Sequence, residues 1–225
     1  MDFVLTACAG TTLDKVFHGF DTAVFDALGS TANSALTAFF KAVTFLGDAK
    51  FILLLLCVSA ILLAFKKTRR IGLAVIISLV LSTLIVNIIL KPTVMRTRPF
   101  ITLADNSVFS ARYKSIGSPF ETDYSFPSGH TAAAFSYSTA LFICLRKQKI
   151  KAAYILPFAA VLVMMSRVYL MVHYASDVVF GAVFGIASGI IGFFAACAAE
   201  KLLAKISLRK NGTAHSGYVS DRKNH

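Results

Sequence analysis

Long apolar runs alternate with short basic ones along most of this chain. Phe51 to Phe65, Ile71 to Leu90, Ser128 to Leu145, Ala152 to Ser166 and Val178 to Ala199 are almost free of charge. A helix needs ~20 apolar residues to cross a bilayer upright, and the shorter runs approach that length once flanking residues with long, snorkelling stems such as Lys50 are added. The pattern predicts five membrane spans with soft boundaries. Ahead of them, from Thr12 to Gly47, Asp14, Lys15, Asp21, Asp26 and Lys41 interrupt Val16, Phe17, Phe20, Val24, Phe25 and Leu28. Such an amphipathic segment either lies in the membrane interface or packs as helix on the outside of the bundle. The stretch from Asn211 to His225 is polar, without periodicity, and is expected to be disordered. The expected fold is all-α, a multi-pass transmembrane helix bundle forming one domain over 1–210. Within it, 1–48 holds interfacial helices and 49–205 the transmembrane core, and 211–225 is the tail.

Composition supports this reading. The 225 residues are 56% hydrophobic and 15% charged, with a mean hydropathy of +0.71, outside the range of ordinary soluble domains. The formal charge of +12 would suggest a nucleic-acid partner in a soluble protein, but its placement points to membrane topology instead. Lys66, Lys67, Arg69 and Arg70 lie between the first two runs, and Arg146, Lys147, Lys149 and Lys151 between the third and fourth. Lys201, Lys205, Arg209, Lys210, Arg222 and Lys223 follow the fifth. By the positive-inside rule these regions face the cytoplasm. The loop from Lys91 to Pro127 and the turn before Asp177 then face outward. Cys57, Cys144 and Cys197 fall inside apolar runs and read as small buried hydrophobes. Leu5-Thr6-Ala7-Cys8 looks like a lipoprotein cleavage box but lacks the basic start and apolar run of such a signal.

The outward face is also where the chemistry collects. Lys91 closes the second run, with Arg98 and Pro99 just beyond; Pro127-Ser128-Gly129-His130 opens the third; Ser166, Arg167, His173 and Asp177 join the fourth to the fifth. Ionisable groups at membrane depth are costly and persist where they have a partner or a task. Lys91, Arg98 and Arg167 supply three positive charges, and guanidinium forks fit phosphate oxygens in pairs. A helix opened by Pro127 and Ser128 leaves first-turn N–H groups free for an anion, and Gly129 lets backbone approach it closely. His173 and Asp177, four residues apart, become neighbours if helix begins near His173. The carboxylate would then fix the imidazole tautomer and stabilise the cation formed when the other nitrogen attacks. His130 remains as a second imidazole suited to donating a proton. Taken singly, the three cations also fit interfacial anchors, PSGH a plain helix start, and His-x-x-x-Asp a surface pair or half a metal site. A metal is disfavoured because the neighbouring cations would repel it. Arg96, Arg112 and Lys114 belong to no motif and are expected only to steer anions.

Together, Lys91, Arg98, Pro99, Pro127, Ser128, Gly129, His130, Ser166, Arg167, His173 and Asp177 occur in an order that resembles the signature of the type 2 phosphatidic acid phosphatase family. The resemblance covers roughly Gly47 to Glu200. It implies a phosphatase without metal or other cofactor, acting on membrane lipid phosphates or diphosphates. His173 would be the nucleophile, His130 and Asp177 its catalytic partners, and Lys91, Arg98, Ser128, Gly129 and Arg167 the phosphate-binding set. Small bacterial members suggest undecaprenyl diphosphate, phosphatidylglycerol phosphate or phosphatidate as substrates, and an active site on the extracytoplasmic face of the plasma membrane. Members of this size commonly have six spans, so the first is expected to be missing or reduced here. Two other readings stand beside it. Vanadium-dependent haloperoxidases share the constellation, though they are soluble. A transporter or binding protein for anionic lipids would use the cations without needing both histidines and Asp177.

Overall fold

The computed structural model describes the backbone of residues 2–29 and 31–221, and the side-chain surroundings of residues 12–28 and 31–206. It contains helices and no strand among the described residues. In chain order they are α1 (Asp2–Gly29), α2 (Ser34–Thr44), α3 (Ala49–Leu63), α4 (Arg69–Thr83), α5 (Lys91–Val94), α6 (Pro99–Thr102), α7 (Ser107–Ile116), α8 (Gly129–Lys147), α9 (Ile155–Tyr169) and α10 (Ala175–Asp221). Local chemistry sets several of the starts. Asn33 and Asp48 cap α2 and α3 by accepting from Leu36 N and Lys50 N, each at 2.9 Å, which satisfies donors that a helix leaves unpaired. A π-helical stretch, Leu84–Leu90, carries α4 into α5. Met95 then ends α5 in the left-handed region at φ 54°.

α10 and α8 form the centre of the bundle, with α4 against both and α9 against α8. The contact between α10 and α8 is made at backbone distance. A Cβ built on Gly181 would lie 2.7 Å from Ser128 O, one on Gly185 2.5 Å from Ala132 O, and one on Gly189 2.6 Å from Thr139 Cβ. On Gly192 it would lie 2.8 Å from Ala74 O of α4. A stripe of residues without side chains therefore lets three helices approach closely, the usual way to gain packing contact where lipid removes the hydrophobic drive between helices.

Arg69–Thr102, Lys151–Tyr169 and Ala175–Ile206 are long and apolar enough to cross a membrane, and Ser34–Gly47 with Ala49–Leu63, bent by 43°, would make a fourth span. The expected count of five is thus not reached by length and composition, for two reasons. The run from Phe51 to Phe65 becomes a helix of only 15 residues. The run from Ser128 to Leu145 becomes α8, whose Thr131, Ser136, Tyr137 and Ser138 are buried among α4, α9 and α10. This polar helix is sheltered by protein rather than bathed in lipid. The amphipathic N-terminal segment packs on the bundle: α1 contacts α5, α9 and α10, and its Asp21 is 3% exposed. The expectation of a disordered tail concerns residues whose side chains lie outside the described set, while the backbone of α10 is helical to Asp221.

The two ends of the bundle differ in kind. Lys67, Arg70, Lys147, Gln148 and Glu200 meet around a cavity of about 290 Å³, where Arg70 Nε donates to Glu200 at 2.6 Å. The opposite end gathers α5, the segment before α8 and the turn between α9 and α10. The helix contacts predict that Gly185→Ala lowers stability by about 1–3 kcal/mol, because a carbonyl stands where the methyl must go. Gly19→Ala should raise it by about 0.5–1 kcal/mol, because that Cβ meets nothing within 4 Å and alanine favours helix. Thermal unfolding in detergent checks both signs.

Candidate active site

At this second end the structure buries three cations together. Lys91, Arg98 and Arg167 are 6%, 2% and 1% exposed, and charges that deeply placed require partners. The partners come from the segment before α8. Asp123 bridges Lys91 Nζ and Arg98 Nη2, and Glu121 pairs with Arg167 Nη2. Arg98 Nε also donates to Asp123 O at 2.8 Å, and Arg167 Nη1 to Thr44 Oγ1 at 3.0 Å. Arg167 Nε is buried without a hydrogen-bond partner. Burial opposes ionisation of Asp123, but Lys91 and then Arg98 outweigh it and hold the carboxyl at about 2. At Glu121 burial is likewise outweighed, chiefly by Arg167, and the group stays below its ordinary value. Both depressed carboxyls add stability above about pH 4, the unfolded-chain range, and that contribution is lost as pH falls through their folded values.

A sharp reversal brings Arg167 and His173 into the same space. After α9, Met171 sits at φ 59°, Met171 N donates to Val168 O at 2.8 Å and Val172 N to Arg167 O at 3.3 Å. This pair of bonds around a left-handed residue is the Schellman way to end a helix. His173 is 1% exposed and precedes α10 rather than lying in it, so its proximity to Asp177 comes from a turn and not from a helical face. Asp177 reaches back to cap that turn, accepting from Tyr174 N at 3.0 Å, the carboxylate half of a capping box. Its Oδ2 lies 3.6 Å from His173 Nδ1. Ser125 Oγ stands beside both, donating to Asp177 Oδ2 at 2.5 Å and lying 3.5 Å from His173 Nδ1.

The tautomer of His173 follows from its other nitrogen. Nε2 lies 3.3 Å from Arg98 Nη1, and a guanidinium only donates, so Nε2 carries the lone pair and Nδ1 the proton, directed to the Asp177 side. Burial first, then the positive charges of Arg98, Arg167 and Lys91, hold this imidazole well below its ordinary value of 6.5. His173 is therefore neutral at ordinary pH, with its lone pair facing the cations. Because its folded value is depressed, the unfolded chain takes up the proton first, and stability falls as pH drops below about 6.5.

Pro127 to His130 supplies the opposite wall. Ser128 caps α8 and accepts from Thr131 Oγ1 at 3.0 Å, while Ser128 N donates to Asp177 O at 3.1 Å. Its own hydroxyl proton is not taken by that bond. Gly129 is closely approached, but by a side chain: a Cβ there would lie 2.7 Å from Asn87 Oδ1. Gly47 packs on His130 in the same way: a Cβ there would lie 2.9 Å from His130 Cβ. Lys91, Arg98, Glu121, Asp123, Gly129, His130 and His173 all line one cavity of about 310 Å³, whose remaining wall includes the apolar Ala49, Ile52 and Ala133. Arg167 and Asp177 stand behind this lining, as does Ser128. Among the described residues, no group of three His, Cys, Asp or Glu side chains could hold a metal ion.

Sequence reasoning assigned nothing to Glu121, Asp123 or Ser125, and it misread Arg96. Expected only to steer anions, Arg96 is 1% exposed and ion-paired with Asp14, Asp21 and Asp177, because all three carboxylates converge on it from α1 and α10. Arg112 donates to Phe25 O at 3.3 Å, tying α7 to α1. A usable signal existed: Glu121 and Asp123 are two of only three acids between Lys91 and Pro127, the other being Asp105.

Fold and site together define an all-helical membrane protein with a basic anion cradle beside a buried His–Asp pair. The chain belongs to the PAP2 superfamily, whose family model matches residues 71–198 and so spans every motif residue from Lys91 to Asp177. It is 34% identical over 129 residues to an undecaprenyl-diphosphatase of Sulfolobus acidocaldarius, a match covering 57% of this chain and 56% of that relative. This chain thus matches little more than half the length of the curated relative. In structure it is similar to a transmembrane PAP2-type phosphatidylglycerolphosphate phosphatase of Bacillus subtilis, at TM-score 0.65 and 26% identity over 89% of this chain and 94% of that one. It is also similar to LpxE of Aquifex aeolicus, at TM-score 0.58 and 29% identity over 76% and 93%.

If Lys91 and Arg98 take a phosphate, it displaces the Asp123 carboxylate from both. Asp123→Asn is therefore expected to tighten inhibition by vanadate about fivefold, the equivalent of ~1 kcal/mol for a half-exposed ion pair. Inhibition constants at fixed pH measure this directly.

Proposed function

We propose that the protein is an integral membrane phosphatase hydrolysing lipid phosphate or diphosphate monoesters through a phosphohistidine on His173. The observation that carries the reading is His173 Nε2 standing 3.3 Å from Arg98 Nη1 in the cavity that Lys91 and Arg98 line. Phosphate oxygens bind Lys91, Arg98 and Arg167, with the Ser128 hydroxyl and the first-turn amides near Gly129 as further donors. Nε2 attacks phosphorus and the bond to the lipid oxygen breaks. The positive charge developing on the ring is balanced by the Asp177 carboxylate on its Nδ1 side. His130, which takes up a proton as the negatively charged substrate enters beside it, gives that proton to the departing oxygen. Water then attacks the phosphohistidine, its proton passes to His130, the P–N bond breaks, and inorganic phosphate leaves. The cations stabilise charge that peaks on the transferring group, where fixed dipoles and charges contribute most.

The apolar wall of the cavity, Ala49, Ile52 and Ala133, supports an amphiphilic substrate whose chain stays in the membrane. The names of the relatives support undecaprenyl diphosphate and phosphatidylglycerol phosphate as the first substrates to assay, with phosphatidate beside them. The distribution of basic residues supports a plasma-membrane protein with this cavity on the extracytoplasmic face. In a background lacking the native cysteines, Asp105→Cys should react with an impermeant thiol reagent in intact cells and Lys67→Cys should not. The reverse labelling would place the site inside.

The mechanism separates the two histidines by leaving group. His173→Ala should be inactive on every substrate, since no leaving group replaces a nucleophile. His130→Ala should be severely slowed on a lipid phosphate, yet much less impaired in phosphoryl transfer from p-nitrophenyl phosphate, whose leaving oxygen needs little protonation. Burst kinetics on both substrates check this. Equal losses for His130→Ala, with no burst, would assign His130 to binding instead. Activity should survive chelation of divalent metals; complete loss in EDTA, restored by one added metal, would overturn the mechanism.

A further inference from the structure

The Asp177 carboxylate has more to do than face His173, and the groups that hold it come from elsewhere in the chain. Its Oδ1 accepts from Arg96 Nη1 at 2.6 Å. Its Oδ2 accepts from Ser125 Oγ at 2.5 Å and from Tyr174 N at 3.0 Å. Arg96 governs two of these three bonds, because Arg96 O accepts from Ser125 N at 2.8 Å and so fixes the serine that grips the other oxygen. Each nitrogen of the guanidinium is itself engaged. Nε donates to Asp14 Oδ1 at 2.8 Å, Nη2 to Asp21 Oδ2 at 2.8 Å, and Nη1 also to Ser176 Oγ at 2.7 Å. Its plane lies 3.9 Å over the Tyr174 ring. Asp21 in turn accepts from Ser176 N at 2.8 Å and Ser176 Oγ at 2.9 Å, joining α1 to the first turn of α10. Arg96 does not line the substrate cavity.

We propose that Arg96, with Asp21 and Asp14 of α1 behind it, is a positioning residue for phosphoryl transfer, locking the Asp177 carboxylate so that His173 keeps Nε2 turned to the cradle. The proposal rests on the reading of His173 as nucleophile. A buried ion pair that served stability alone would need only charge balance. Here one guanidinium nitrogen bridges Ser176 and Asp177, and the backbone of the same residue places the second donor to Asp177. With Oδ1 released, the carboxylate loses one of its three anchors, and Oδ2 is held less firmly beside His173 Nδ1, from which it lies 3.6 Å. The N-terminal helix thereby belongs to the catalytic architecture although none of its described residues lines the cavity.

The test is a double-mutant cycle on the purified full chain in detergent, with p-nitrophenyl phosphate as substrate and vanadate as the cradle probe. Arg96→Gln should lower kcat by about tenfold or more while KM and vanadate inhibition stay within about twofold, since the cradle cations are untouched. Arg96→Gln combined with Asp177→Asn should be no slower than Asp177→Asn alone, because the path through Asp177 is already broken. Arg96→Lys should recover part of the lost kcat. If Arg96→Gln does not fold, Asp21→Asn, which keeps shape and volume, takes its place in the same cycle, with a smaller loss of kcat expected. Fully additive losses in the cycle would overturn the proposal. Unchanged kcat, or a fall in kcat matched by lost vanadate affinity, would also overturn it. Full activity of His173→Ala would remove the underlying mechanism instead, so the two failures are distinguishable.

Discussion

Three cations buried at one end of an apolar helix bundle cannot stand without anions, and most of the site is arranged around that constraint. Lys91, Arg98 and Arg167 are each almost fully buried, and an unpaired buried charge costs several kcal/mol. In the free protein Glu121 and Asp123 meet the need. A phosphate, with more oxygens for the guanidinium forks to grip, is the partner that the proposed mechanism puts in their place. In the proposed mechanism, the charges that demand a partner here are the same ones that bind substrate and spread the charge of the transferring phosphoryl group.

Holding such a cluster requires a frame that does not yield. The glycine line of α10 and the buried hydroxyls of α8 bring the helices to backbone contact, so that Ser128 N bonds to Asp177 O across two elements distant in sequence. The reversal at Met171 sets Arg167 and His173 in the same space. Against this rigid side stands the segment before α8, whose Asp123 side chain is 50% exposed. Under the proposed mechanism the two faces divide the work: His173 and the cations are held, and the counter-ions are the part that can leave.

Much of the site was legible in the sequence because its residues violate their surroundings. Lys91, Arg98, Arg167, His173 and Asp177 stand out in apolar chain, and the three clusters keep the order of a known family. The structure brings Lys91, Arg98, His130 and His173 around one cavity, with Arg167 and Asp177 directly behind. Arg96, Asp14 and Asp21 were not legible, since an ion pair between residues 75 or more positions apart leaves no trace in periodicity. Glu121 and Asp123 were hidden for a related reason: acids in a polar loop look solvated until the loop folds onto cations. The run that becomes α8 is not among the three or four spans that length and composition support. Its serines and threonines mark a helix surrounded by protein, a distinction that hydropathy alone does not make.

The central claim is that His173 Nε2 forms a bond to phosphorus. Rapid acid-free quenching of the enzyme turning over p-nitrophenyl phosphate, followed by peptide mass spectrometry, reads that bond directly. A phosphoryl group on the peptide containing His173, stable in base, lost in acid and enriched in His130→Ala, is the predicted result. A phosphoryl group on any other side chain, or rapid turnover with His173 never modified in any variant, would contradict the account.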